Sequence, residues 1–142
     1  MFVRSANVED YDKIMSLYSL FLEDNKRFIN HNGDSFKEVI NSKNNFVYVI
    51  EEKSNLAGFI SFSKRRVIRY PKAIIELDEL YILPEFRKQG LGKKLIEKLE
   101  QIAKDMDCCR IFIESRHDQQ NAHNFYIDCG FTNLGVFFIK NI

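Results

Sequence analysis

The residues best suited to chemistry lie in one short stretch that runs from Glu79 to Gly92. A β-rich run stops at Pro84, a basic turn follows, and a helical pattern begins at Gly90. Glycines at a helix entrance let the backbone approach a ligand, and the first helical turn offers unpaired N–H groups at the positive end of the helix dipole. The stretch therefore predicts an anion site, with phosphate as its usual occupant. Positive side chains surround that site: Arg87, Lys88, Lys93 and Lys94.

The strand that leads into this turn, Ala73 to Leu83, has an irregular apolar pattern. One alternating pair of apolar residues is followed by a second pair one position out of phase: Ile75 and Leu77, then Leu80 and Ile82. A β-bulge at Asp78 or Glu79 would return all four to one face, and it would also leave backbone groups available to a ligand. A strand buried on both faces would give the same sequence without a bulge.

The elements that must position this stretch follow the order βααβββαβαβ, which predicts a mixed α/β domain. We expect Asn7 to cap the first helix, with Asp10 as the other half of a capping box. The predicted helices are one after Asn7 through Leu22, one after Asp34 or Ser35 through Ile40, Leu91 to Met106, and Asn121 to Cys129. The predicted strands are Phe2 to Ala6, Phe46 to Ile50, Leu56 to Ser63, Ala73 to Leu83, Arg110 to Glu114, and Leu134 to Lys140.

The composition fits a single domain over residues 1–142, with 45% hydrophobic and 29% charged residues. The formal net charge of +1 gives no overall field that would recruit nucleic acid. No apolar run is long enough to span a bilayer, and no signal peptide precedes the first residues. We therefore expect a cytoplasmic protein with neither a nucleic-acid partner nor a membrane partner.

The cysteines and histidines do not show the spacing of metal ligands, so we expect no metal. The cysteines are odd in number and two of them are adjacent, which predicts reduced core thiols. These residues are Cys108, Cys109 and Cys129, and the histidines are His31, His117 and His123.

Two segments resemble the signatures of the GNAT superfamily (GCN5-related N-acetyltransferases). The turn Arg87-Lys88-Gln89-Gly90-Leu91-Gly92 is similar to the Arg/Gln-x-x-Gly-x-Gly/Ala motif of that family. The segment from Ala122 to Phe131 resembles its Ala-x-x-Phe-Tyr-x-x-x-Gly-Phe helix. The two motifs occur in the family's order, with a helix and a strand between them. The resemblance implies the GNAT fold, a central, mostly antiparallel twisted sheet of about six strands with four helices, splayed at strands 4 and 5.

The resemblance also implies a function, the transfer of an acetyl group from acetyl-CoA to a primary amine of a small molecule by direct attack in a ternary complex. Gln119 stands where relatives commonly carry an asparagine that binds the pantetheine, and Asn121 is nearby. The remaining residues that the resemblance assigns to the co-substrate are Leu80, Tyr81 and Ile82 for the pantetheine, and Arg87, Lys88, Gln89, Gly90, Leu91, Gly92 and Lys93 for the pyrophosphate.

An amine is protonated at neutral pH, with a lysine-like pKa near 10, so the reaction needs a group that removes a proton. Glu79 matches the position where many relatives carry a carboxylate that works through water, although a plain bulge glutamate fits the sequence equally well. Glu76, a water molecule or a histidine are the alternatives. Tyr126 matches the acid that protonates the departing thiolate, and the alternative is an ordinary core aromatic residue.

The resemblance implies that the first two helices and the strand loops recognise the acceptor, through an aromatic pocket or, as the alternative, with most of the following residues serving as ordinary core or surface residues. The residues considered are Tyr18, Phe21, Phe28 and His31, with Glu23 and Asp24 to attract a cation. The alternative functions are the acetylation of a protein or peptide amine and a catalytically silent role as an acyl-CoA-binding regulatory module. Because few residues follow Phe131, a second subunit could complete the sheet edge, which raises the possibility of a homodimer.

Overall fold

The computed structural model describes residues 1–24 and 33–142, and the chain divides into two units, Met1–Phe112 and Ile113–Ile142. The strands are β1 (Phe2–Ser5), β2 (Asn45–Glu52), β3 (Asn55–Arg65), β4 (Ile74–Ile82) and β5 (Arg110–Ile113). The helices are α1 (Tyr11–Asp24), α2 (Gly33–Asn41), α3 (Leu91–Asp105) and α4 (Gln120–Asp128), with short 3-10 turns at Val8–Asp10 and Pro84–Phe86. The predicted mixed α/β fold with four helices is confirmed, whereas the prediction of one domain over residues 1–142 stays a prediction.

The five strands form one sheet in the order β1-β2-β3-β4-β5, and the pairs from β1 to β4 are antiparallel. Helices α1 and α2 cover one face, where their apolar side chains form a single cluster with alternate residues of β2, β3 and β4. Helix α3 lies over the other face, since Lys98 sits above the ring of Tyr48 and Lys64 donates to the carbonyl of Met106. Both faces of the central strands are therefore buried, which explains why their apolar runs are nearly continuous.

The irregular pattern of β4 does correspond to a β-bulge. The register steps from Ser61 opposite Glu79 to Phe62 opposite Leu77, so Asp78 is the extra residue. Residues opposite each other in an antiparallel pair share a face, and the bulge therefore places Leu80 and Ile82 on the same side as Ile75 and Leu77, the side covered by α3. The interpretation of β4 as a regular strand without a bulge is wrong.

The predicted capping box at Asn7 is confirmed, because its side chain accepts from the N–H of Glu9 while Asp10 accepts from the N–H of Asn7. Arg4 of β1 forms a bidentate pair with Asp10 at 2.7 and 2.8 Å, and it also donates to Glu51 of β2 at 2.8 Å. One guanidinium thus ties the edge strand to the sheet and to the start of the first helical segment.

The predicted strand from Leu134 to Lys140 is wrong, since residues 131–142 have no regular secondary structure. A strand needs a neighbour to satisfy its backbone groups, and the sheet of the described residues ends at β5. Apolar side chains of this segment are instead exposed, including 81% of Leu134 and 93% of Phe138. The sheet of the described residues consequently has five strands and not about six.

The prediction of core thiols is also wrong, because Cys109 is exposed and Cys108 and Cys129 are only half-buried. None of the three cysteines forms a disulfide. The prediction rested on the odd number and the adjacency of the cysteines, whereas these residues lie at the ends of elements, where the chain returns to the surface. Within the described ranges, no helix is long and apolar enough to cross a bilayer, and no cluster of His, Cys, Asp and Glu suited to a metal is found.

Candidate active site

Glu79 lies beside the bulge on β4, on the face covered by α1 and α2. Its partner across the strands is Ser61 of β3, whose hydroxyl donates a hydrogen bond to the Glu79 carboxylate. Ser61 is buried and Glu79 is half-buried. The bulge places this carboxylate on the face covered by α1 and α2, because in a regular strand through Asp78 the Glu79 side chain would point to the opposite face.

A cavity of about 190 Å³ lies between the sheet and the first two helices, and Glu79 and Ser61 form part of its wall. The remaining lining residues come from α1, α2 and the two central strands: Ile14, Met15, Tyr18, Ser35, Phe36, Val39, Val47 and Phe59. Of the acceptor residues considered from the sequence, Tyr18 lines the cavity, whereas Phe21 is buried against Phe59 and Tyr81. Phe28 and His31 lie outside the described residues.

Sequence reasoning missed most of this wall, including Met15, Phe36 and Val39. Each lies on the apolar face of an amphipathic helix, where the pattern indicates burial but does not distinguish a packed core from the lining of a cavity. The signal that could have found them is the polar pair across the strands, because Ser61 and Glu79 interrupt an otherwise apolar face.

The predicted phosphate turn leads directly into α3, which begins at Leu91. Gly90 has a φ of 78° and Lys88 a φ of 59°, so two residues of the turn adopt the left-handed conformation. A Cβ added at Gly90 would meet no protein atom within 4 Å. The turn is therefore open to a ligand, and Gln89, Lys93 and Lys94 are exposed around it. A helix N-terminus with this open approach fits a pyrophosphate.

The Arg87 side chain does not extend freely from the turn, because its guanidinium donates to the Ile82 carbonyl and to Asp24 of α1, both at 2.8 Å. It also lies over the ring of Tyr81, whose hydroxyl donates to the same Asp24 oxygen. The bond from Arg87 holds the pKa of Asp24 below its usual range, and burial together with the bond to Asp24 raises the pKa of Tyr81 to about 12. Asp24 was considered as an attractor of the acceptor's positive charge, but its own charge is balanced by Arg87.

In the second unit, Tyr126 is half-buried on α4 and packs edge-on against the rings of Phe125 and Phe131. Burial raises the pKa of its phenol, so the hydroxyl keeps its proton at neutral pH. The helix ends as predicted at Gly130, with a φ of 87°, and the N–H of Phe131 donates to the carbonyl of Tyr126 at 3.0 Å.

The other predicted residues of this unit lie at the start of α4. Gln119 is the residue before the helix, is half-buried and makes no side-chain capping bond, and Asn121 is exposed. His123, considered as a helper in proton transfer, bonds through Nε2 to the carbonyl of Arg116 at 2.7 Å. An imidazole donates in such a bond, which fixes its proton on that nitrogen.

The Acetyltransferase (GNAT) family matches residues 12–131 of the chain. An aminoalkylphosphonate N-acetyltransferase of Salmonella typhimurium is 25% identical over 97% of the chain and 89% of its own length. An aminoglycoside N(6')-acetyltransferase type 1 of Acinetobacter baumannii is 32% identical, but over only 46% of the chain and 47% of that enzyme. The chain thus spans about half the length of this second relative.

Among solved structures, an aminoglycoside acetyltransferase from an uncultured soil metagenomic sample, in complex with sisomicin, has a TM-score of 0.86. It is 18% identical, and the match covers 99% of this chain and 95% of that protein. A putative acetyltransferase from Agrobacterium tumefaciens has a TM-score of 0.87 at 17% identity and covers 99% of the chain. At these identities the likeness shows the fold alone.

Proposed function

Because the chain belongs to the acetyltransferase (GNAT) family, we propose that it transfers the acetyl group of acetyl-CoA to the primary amine of a small molecule. The observation that carries the proposal is the Glu79 carboxylate on the wall of the cavity, held by Ser61 across the bulge. A carboxylate inside a largely apolar cavity attracts an ammonium group and accepts a proton from it. Relatives that are named as N-acetyltransferases of small amines support the same chemistry.

In the proposed mechanism, acetyl-CoA supplies an activated acetyl group as a thioester. The acceptor enters as an ammonium ion, and Glu79 takes one proton from it directly or through a water molecule, so that the nitrogen lone pair can attack the thioester carbonyl in a ternary complex. The C–N bond forms, the C–S bond breaks, and the second proton that the nitrogen loses goes to water. Ser61 keeps the carboxylate oriented by donating to it. Tyr126, which retains its proton because burial raises its pKa, supplies the proton that the departing thiolate needs.

The residues of the Arg87–Gly92 turn fit the pyrophosphate of the co-substrate. The left-handed Gly90 leaves open space in front of the first N–H groups of α3, and exposed lysines on either side add positive charge. We assign the pantetheine arm to Leu80, Tyr81 and Ile82, with Gln119 and Asn121 as further contacts. Since the Arg87 and Tyr81 side chains already have partners, their part in binding is assigned to the backbone.

The cavity favours a small amine over the alternatives. A protein or peptide amine would need an extended groove, whereas about 190 Å³ accommodates one small molecule. A silent acyl-CoA-binding module would have no need for a carboxylate on the cavity wall or for a half-buried phenol on α4. The combination of Glu79 and Tyr126 therefore supports an enzyme.

We also propose a homodimer in which a second copy covers the C-terminal segment. Val136, Phe138 and Ile139 expose between 82% and 93% of their surface, and such contiguous apolar surface is typical of an interface. Light scattering on the full chain should give twice the mass of 16.8 kDa, and Phe138→Ser should lower it to that of the monomer. A monomeric wild-type protein would refute this assignment.

The test of the activity combines ligand-induced stabilisation with release of CoA. Acetyl-CoA at about 100 times its Kd should stabilise the protein by roughly 2.7 kcal/mol and raise its Tm. A library of amines should then reveal turnover as the release of free thiol.

Gly90→Val should abolish the Tm shift, because the valine side chain would fill the open space in front of the turn where the phosphate is expected and would disfavour the left-handed φ of residue 90. Gly130→Val is the matched control, since that glycine has a similar φ of 87° and equally open surroundings. An unchanged Tm with saturating acetyl-CoA would refute the proposed function.

A further inference from the structure

The cavity beside Glu79 has an unusual balance of charge and apolar surface. Among the described residues that line it, Glu79 is the only charged one, and the two serines Ser35 and Ser61 are the other non-aromatic polar ones. Seven of the ten lining residues are aliphatic or aromatic. A wall of this kind offers one full counter-charge and otherwise apolar contact.

Two carboxylates near Glu79 among the described residues are paired with arginines, which balance their charge. Asp24 binds Arg87 at 2.8 Å, and Glu76, three positions before Glu79, binds Arg65 at 2.9 Å. Glu79 differs from both because it accepts a hydrogen bond from the neutral hydroxyl of Ser61. The cavity is therefore suited to one positive group.

The size of the cavity sets the size of the occupant. An apolar cavity of about 150 Å³ in another protein binds benzene, so the volume of about 190 Å³ suits one ring with a short alkyl linker, or an alkyl chain of similar volume. A second ammonium or a phosphonate on such a molecule would lie against Phe36, Val39 or Phe59. A buried charge without a partner is strongly disfavoured.

We infer, on the basis of the proposed acetyl transfer, that the acceptor is a primary amine on an uncharged apolar body, an alkylamine or arylalkylamine with one positive charge. The ammonium contacts Glu79, and the apolar body packs against Met15, Phe36 and Val39. This class differs from the aminoglycoside and the aminoalkylphosphonate after which two of the relatives are named.

The test uses pairs of amines that match in size and differ in charge. Pentylamine is compared with 1,5-diaminopentane, and 2-phenylethylamine is compared with 2-aminoethylphosphonate, with CoA release as the measurement. We expect kcat/KM to favour the uncharged-body amine of each pair by about 30-fold, because the second charge would be desolvated without a partner. An equal or higher value for the diamine or the phosphonate would overturn the inference.

A variant of the wall separates recognition by charge from other effects. Val39→Asp places a second carboxylate on the side of α2 and should shift the preference about tenfold towards the diamine, whereas Val39→Asn has nearly the same shape and should not. If Val39→Asp lowers the Tm too far for assay, Met15→Glu places the charge on the wall of α1 with Met15→Gln as its control. Preferences that stay unchanged in these carboxylate variants would overturn the assignment of this wall to the body of the amine.

The same experiments distinguish a failure of the inference from a failure of the proposed function. Acetylation of charged amines alone would leave the proposed function intact and refute the apolar class. If no amine is acetylated, the proposed function fails, and calorimetry with pentylamine and 1,5-diaminopentane then tests the cavity by itself. Binding of pentylamine that is weakened by Glu79→Gln would support an apolar-amine site, and stronger binding of the diamine would refute it.

Discussion

Strand β4 and helix α4 carry the two proposed catalytic side chains, but they are stabilised in different ways. Strand β4 pairs with β3 along its length except at the bulge residue Asp78, and several of its residues are fully buried, among them Ile74, Ile75 and Leu77. Helix α4, in the unit Ile113–Ile142, has no buried residue among its nine. The position of Glu79 thus depends on the core of the first unit, whereas the ring contacts of Tyr126 with Phe125 and Phe131 lie within a short segment.

This difference indicates how well each side chain is preorganised. Glu79 is held by the register on both sides of the bulge and by Ser61, so its displacement would require a break in the sheet. Tyr126 is held by rings at neighbouring positions, Phe125 and Phe131, and by the end of its own helix. A catalytic group held by long-range packing tolerates less movement. The largest losses of activity are therefore expected at the strand and the smaller ones at the helix.

The first prediction concerns Glu79→Gln, which should lower kcat/KM by about a hundredfold to a thousandfold because it removes the proposed base. The amide can still accept from Ser61, so the Tm should change little. Steady-state CoA release and thermal unfolding measure the two effects. Glu76→Gln on the same strand is the control, since Glu76 binds Arg65 and does not line the cavity. A large loss of activity in Glu76→Gln with none in Glu79→Gln would show that Glu76, and not Glu79, is the base.

The second prediction concerns Tyr126→Phe, which should lower kcat by about tenfold to a hundredfold, at the low end for general acid catalysis. A thiol has a pKa near 8.5, so its anion is already a fair leaving group. The Tm shift with acetyl-CoA should persist, because the ring and its packing remain. Tyr48→Phe is the control, since that ring stacks on Phe62 on the face covered by α3. Normal turnover of Tyr126→Phe would exclude its role as the acid.

The features that could be predicted from the sequence depend on short spacings. The phase change between Leu77 and Leu80 predicted the bulge, because alternation within one strand is fixed by its own geometry. The capping box at Asn7 was predicted for the same reason, since its partners lie within three residues. Patterns within a few residues of each other thus predicted that Glu79 lies at a bulge, but they did not predict which side chains surround it.

The features that could not be predicted depend on residues far apart in the chain. Arg87 binds Asp24, which is 63 positions away, and no local pattern indicates that pairing. The apolar residues of the segment from Leu134 to Lys140 fit a strand equally well whether a neighbour exists or not, so composition alone predicted one wrongly. The lining of the cavity likewise requires knowledge of how two helices lie on the sheet.

The third prediction tests the close pairing that supports Glu79. A Cβ at Gly58 would lie 2.4 Å from the backbone oxygen of Tyr81, so Gly58→Ala should force β3 and β4 apart and lower the free energy of unfolding by about 2 kcal/mol. Urea unfolding measures this change. Gly135→Ala is the control, because open space surrounds Gly135, and its effect should stay within about 0.5 kcal/mol. Similar values for both variants would contradict the tight register described for this unit.

The fourth prediction has the smallest expected effect and concerns the edge of the same unit. Asp10→Asn should lower the free energy of unfolding by about 1 kcal/mol near neutral pH. The loss is modest because Arg4 keeps its bond to Glu51. The bond from Arg4 holds the pKa of Asp10 below its usual range.

This lowered pKa makes the contribution of Asp10 depend on pH. A carboxylate whose pKa is lower in the folded state stabilises the fold above its unfolded-state pKa, about 3.9, and this stabilisation is lost as the pH falls through the folded-state pKa. The free energies of unfolding of wild type and Asp10→Asn, measured by urea titration, should therefore differ by a constant amount between about pH 5 and pH 7 and converge below about pH 4. A difference that persists undiminished at the lowest pH would mean that packing, and not the charge of Asp10, holds β1 in place.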